Sequence, residues 1–121
     1  MAWRDDVRDV VVLLCTVPSE EVGTALAKAL VQEGLVACVN VVPGVRSIYR
    51  WKGEVCEDAE LLLVMKSVRS RSGEIADRVK ALHPYDTPEL IALSVGGGME
   101  AYLAWVREQA CVGCAHSEQR G

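Results

Sequence analysis

LVACVNVVPGVRSIYRWKGEV, residues 35–55, decides the fold. The part before Pro43 is rich in β-branched residues and reads as a strand. Pro43-Gly44 must bend or break that strand, because proline cannot donate to a sheet ladder. Beyond the bend SIYRWK is strand-like again, and Lys52-Gly53 suits a hairpin turn, with Gly53 free to take positive φ. The return strand is expected from about Glu54 to Met65, ending in ELLLVMK, with Cys56-Glu57-Asp58 as a candidate irregularity inside it. The stretch therefore predicts a long antiparallel hairpin with a built-in bend.

Upstream, DVVVLLCTV (9–17) is short, continuous and β-branched, the pattern of a strand buried on both faces. Pro18 stops it. SEEVGTALAKALVQEG (19–34) then carries Val22, Ala25, Leu26, Ala29 and Leu30 at helical spacing. Ser19 can cap this helix, Glu20 and Glu21 suit its positive end, and Gly34 suits its exit. Downstream, RSRSGEIADRVKALHP (69–84) is a second amphipathic helix, capped by Ser70 or Ser72 and ended by Pro84. ELIALSV (89–95) is a fourth strand, Gly96 to Gly98 a flexible break, and MEAYLAWVREQA (99–110) a third helix. Residues 1–110 form one domain on this reading, and CVGCAHSEQRG (111–121) a flexible polar tail.

The order is β-α-β-β-α-β plus a terminal helix, an α+β arrangement of the ferredoxin-like kind, with both main helices on one face of an antiparallel sheet. In a monomer the other face would meet water, and the strands should alternate apolar and polar. VVVLLC and LLLVM do not alternate. The expected cover is another copy of the chain.

Composition narrows the function. The chain has 121 residues, half of them hydrophobic, and a net charge of −4 without a basic run, so bulk charge gives no support for nucleic-acid binding. Its apolar stretches are too short to span a bilayer, and its N-terminus is charged where a signal peptide would be apolar. Five cysteines, an odd count with the first three scattered, fit reduced thiols better than a disulfide scaffold. A cytoplasmic protein is expected. No GxxxxGK[ST] is present, and no Ser-His-Asp set is suggested by spacing, so no enzyme is predicted.

Several segments together resemble the CutA family of divalent-cation tolerance proteins: LLCTVPSEEVGTALAKALVQEGLVACVNVVPGVRSIYRWKGEV, ELLLVMKS, HPYDTPELIAL and YLAWV, in that order over roughly residues 8–108. The resemblance implies a compact homotrimer in which long bent hairpins, here residues 35–65, reach across to neighbouring subunits. It implies a link to metal tolerance without enzymatic activity, and no required cofactor. Copper or another divalent cation is the candidate ligand. In the family's copper-binding description, a first-strand cysteine maps onto Cys15 and the second of two adjacent histidines onto His83. The first histidine falls on Leu82, so one of three ligands is missing.

The candidate ion ligands are therefore Cys15, His83 and Glu89, the last as a carboxylate that can complete the site or orient the imidazole. Each has a plainer alternative. His83 can be a helix-terminal histidine, Cys15 a small buried hydrophobe, and Asp86 a turn residue before Pro88. Tyr49, Trp51 and Tyr85 read as subunit-interface anchors rather than a stacking surface, with both hairpin rings on one strand face. Cys111, Cys114 and His116 form an alternative soft-metal set in the tail. The rival functions are a trimeric scaffold and a small-ligand signalling module that uses clefts between subunits.

Overall fold

The computed structural model describes residues 2–110. The elements run β1 (Trp3–Asp5), β2 (Val10–Val17), α1 (Glu20–Gln32), β3 (Cys38–Trp51), β4 (Glu54–Val68), a 3-10 turn (Arg69–Arg71), α2 (Ser72–Leu82), β5 (Ile91–Ser94), β6 (Gly97–Met99) and α3 (Glu100–Gln109). This is a mixed α+β fold with two antiparallel sheets, one ordered β3-β4-β2-β5 and one ribbon of β1 and β6.

Strand alternation sets the core. Val11, Leu13, Cys15 and Val17 of β2 pair with Ser67, Met65, Leu63 and Leu61 of β4 on one face. Leu26 and Leu30 of α1 and Ile75 and Val79 of α2 pack on that face as one buried cluster. Helix α1 starts as its sequence requires: Ser19 Oγ accepts from the Val22 amide at 3.2 Å, and Glu20 and Glu21 sit in the first turn. Arg78 of α2 clamps Glu33, at the end of α1, with two bonds of 2.7 and 2.8 Å.

The opposite face is only partly covered. Helix α3 places Leu103 and Val106 against Val7, Val10 and Ala37 at one end. Along the rest, Leu14 and Val12 lie beside Ile91 and Leu93, which are 50% and 47% exposed. Leu62 and Val64 continue the same apolar surface across β4.

The hairpin departs from the sequence reading in one instructive way. Strands β3 and β4 pair from Cys38↔Lys66 to Trp51↔Glu54, with a register shift between Val42 and Val45. Pro43 and Gly44 face the single residue Leu61, a bulge made possible by the missing proline N–H and by Gly44 at φ 78°. The irregularity expected at Cys56-Glu57-Asp58 is absent. Those residues pair in register with Tyr49, Ile48 and Ser47, because the bulge upstream already absorbs the bend. At the tip both Lys52 (φ 51°) and Gly53 (φ 81°) take positive φ, the twist-matched turn of two-residue hairpins.

Two further expectations are corrected. Neither Ser70 nor Ser72 caps α2 with its side chain; the 3-10 turn leads into the helix through Arg71 instead. Glycines 96–98 are not simply a break, since Gly97 and Gly98 pair with Asp5 and Arg4 in the ribbon. A Cβ at Gly97 would lie 2.9 Å from the Arg4 carbonyl oxygen, so close strand approach selects glycine there. The charged sequence WRD hid β1, and glycine hid β6.

Asp9 ties β2 to α3 through Arg107, with contacts of 2.5 and 3.0 Å. The Arg107 hydrogen bond holds the Asp9 carboxyl below its ordinary value of 3.8. A depressed carboxylate adds stability above its unfolded pKa and loses it as pH falls through the folded one. The pair is partly solvated, so Asp9→Asn is expected to cost under about 1 kcal/mol at neutral pH. Urea titrations of both proteins should converge once Asp9 is protonated at acid pH.

Candidate functional site

His83 ends α2 and begins the HPYDTPEL loop. Its amide donates to the Val79 carbonyl at 2.8 Å, closing the helix. The residue is 6% exposed, and its ring is engaged on both sides. Nε2 lies 2.8 Å from the Thr16 carbonyl oxygen, which only accepts, so Nε2 carries the proton and donates. Nδ1 accepts from the Tyr85 amide at 3.1 Å. The imidazole thus pins the loop to the end of β2.

Cys15 lies in the core with no exposed surface. Burial, then the charges of Glu89 and Glu60, push its thiol up to about 12. Metals take the thiolate, which this setting disfavours. Glu89 stands exposed on the loop. Leu82, where a second histidine would fall, lines a groove between α1 and α2 with Val22, Ala25 and Arg78. Among the described residues no group of three or more His, Cys, Asp or Glu gathers to hold an ion. As placed, Cys15, His83 and Glu89 do not fit a copper centre. Cys111, Cys114 and His116 lie outside the described residues, and Asp86 is exposed in the loop bend.

The structure instead assembles a cleft of about 490 Å³ where the hairpin leaves the sheet and the HPYDTPEL loop returns to it, lined among others by Thr16, Tyr49, Trp51, Glu60, Tyr85 and Glu89. The bulge is what aims the hairpin residues there. Before it the even-numbered residues of β3 share a face with Leu62 and Val64; after it the odd-numbered Ser47, Tyr49 and Trp51 share that face with Asp58 and Glu60. Tyr85 OH donates to Glu60 Oε2 at 3.0 Å, and Tyr49 OH donates to the Asp58 carboxylate. Both phenols are pushed up to about 12, Tyr49 chiefly by its bond to Asp58 and Tyr85 by burial and then Glu60. The Tyr85 ring stands 4.7 Å from the His83 ring.

The three aromatics expected as anchors therefore converge, but on a cleft with two carboxylates. Glu60, 7% exposed, was not singled out by the sequence reading. Its signal was its place two residues after Asp58 and two before Leu62, where the charged part of the strand face meets its apolar part.

The fold and cleft define an antiparallel α+β protein with a small-molecule-sized recess beside a long hairpin. The family described as "CutA1 divalent ion tolerance protein" matches residues 11–109, and the chain belongs to it. The divalent-cation tolerance protein CutA of Thermus thermophilus is 58% identical over 97 residues, covering 80% of this chain and 94% of that relative. A solved structure of the divalent cation tolerance protein from Thermus thermophilus superposes with a TM-score of 0.82 at 56% identity, covering 83% of this chain and 97% of that one. The Archaeoglobus fulgidus structure, described as a periplasmic divalent cation tolerance protein, gives 0.81 at 32% identity and covers 84% and 98%. These names describe tolerance to ions, not catalysis.

Proposed function

We propose that the chain is a non-enzymatic subunit of a homotrimer of ferredoxin-like domains. Its part in divalent-cation tolerance runs through small-ligand binding in the cleft between hairpin and loop. The observation that carries this reading is the convergence of Tyr49, Trp51, Glu60, Tyr85 and Glu89 on one recess of ligand size. Self-association is supported by the half-covered sheet face and by Ile48 and Val55, 64% and 71% exposed on the hairpin. Isolated subunits rarely expose so continuous an apolar surface. The cytoplasm is proposed as its compartment on the free thiols of Cys15, Cys38 and Cys56.

Direct copper binding by Cys15, His83 and Glu89 is the rival reading. It draws support from Glu89 standing near enough to Cys15 for its charge to act on the thiol. Calorimetric titration with Cu(II) and Zn(II) decides between them. The expected result is an unchanged isotherm for Cys15→Ala. Loss of binding in Cys15→Ala, with binding kept by a chain ending at Ala110, would establish the copper site instead.

A further inference from the structure

The cleft has a chemical bias that narrows its ligand, granted the reading that it binds a small molecule. We propose that it takes a small organic cation with an alkylammonium head. The groups that meet the recess set this choice. Tyr49 and Tyr85 have committed their hydroxyl protons to Asp58 and Glu60, so neither phenol has a proton left for a ligand. What they bring to the lining is aromatic surface, with the Trp51 indole as a third ring. Aromatic faces attract cations, more strongly as water is excluded. Glu60 and Glu89 add negative charge, and among the described residues no lysine, arginine or histidine lines the recess.

An anion would therefore meet two carboxylates, with the hydroxyls of Thr16 and Ser47 and the Trp51 indole N–H as the uncommitted side-chain donors. A bare divalent ion fares poorly for a different reason. Calcium takes six to eight oxygen ligands and copper prefers nitrogen or sulfur, whereas much of this wall is aromatic carbon. An alkylammonium satisfies both halves of the lining, its methyl or methylene groups against the rings and its charge against the carboxylates. The surroundings agree with a negative field: Glu60 contributes to raising Cys15, Tyr49 and Tyr85 alike.

Within the subunit the walls of the recess are fixed by its own contacts. Tyr85 is fixed at the hydroxyl by Glu60 and at the backbone by His83 Nδ1. Glu60 is fixed in the middle of a strand. The site is thus largely preformed, which lowers the ordering cost of binding.

The test is calorimetry of the full chain with choline chloride, its neutral isostere 3,3-dimethylbutan-1-ol, sodium acetate and zinc chloride. Saturable choline binding is expected, at least tenfold tighter than the neutral isostere. It should weaken fivefold or more in both Trp51→Leu and Glu89→Gln. Both positions are exposed, so their variants should fold, and thermal melts check this. Equal affinity for the isostere, a preference for acetate or zinc, or binding indifferent to Trp51→Leu would overturn the proposal. If the isostere or acetate binds and Trp51→Leu abolishes it, the cation falls while the ligand-cleft reading survives. If no probe binds, both fall.

Discussion

The His83→Ala variant is expected to lose about 2–4 kcal/mol of stability while keeping the divalent-ion behaviour of the wild type. Its imidazole is a structural crosslink: Nε2–H donates to the Thr16 carbonyl and Nδ1 accepts from the Tyr85 amide. Alanine removes both partners' bonds at once, and each buried group left unpaired costs about 1–3 kcal/mol. The residue is 6% exposed, so water cannot substitute without a cavity opening. Denaturant titration should show a lower midpoint at unchanged slope, the mark of lost stability rather than altered compactness. His83→Gln should recover part of the loss, because a side-chain amide can donate to Thr16. A His83→Ala protein of wild-type stability that no longer binds copper would reverse the assignment and make the imidazole an ion ligand.

The largest effect on assembly is expected from Leu14→Glu. Leu14 sits on the sheet face opposite α1 and α2, between Val64 on β4 and Ile91 on β5. In a separate subunit that position is half-buried, so a glutamate there can turn its carboxylate to solvent and leave the fold intact. In a trimer that covers this face, the same carboxylate would be buried without a partner, at a cost of several kcal/mol. A loss of about 3 kcal/mol per contact weakens association more than a hundredfold. Equilibrium sedimentation should find a trimer for the wild type and a folded monomer for the variant. Melting of the wild type should depend on concentration and that of the variant should not. A wild type that stays monomeric, or a variant that trimerises unchanged, would remove the argument from the apolar face.

The main elements were legible because each announces itself by local chemistry. Ser19 with Glu20 and Glu21 marked the start of α1, and the run from Val10 to Val17 marked β2. The bend at Pro43-Gly44 followed from one missing amide. What stayed hidden depends on pairing across long distances. Strand β1 is the charged triplet Trp3–Asp5, and it becomes a strand only because Gly97 and Gly98 lie beside it. The site was half legible for the same reason. His83, Tyr85 and Glu89 share one quotable motif, and Tyr49 and Trp51 share another. That these motifs meet over Glu60 depends on a register no local pattern records. The role of His83 also lay beyond the sequence, since both of its ring partners are backbone groups.

The extra residue at Pro43-Gly44 acts as a phase marker for everything downstream of it on β3. It sets which half of the hairpin's alternation faces inward: Ser47, Tyr49 and Trp51, or Arg46, Ile48 and Arg50. With one residue fewer, the second set would turn toward Glu60, and the aromatic wall of the recess would give way to two guanidiniums that offset its carboxylates. The chemistry of the cleft is thus encoded by chain length at the bend as much as by the residues that line it. Substitution can adjust that recess gradually, whereas an insertion or deletion of a single residue would exchange its whole hairpin wall in one step.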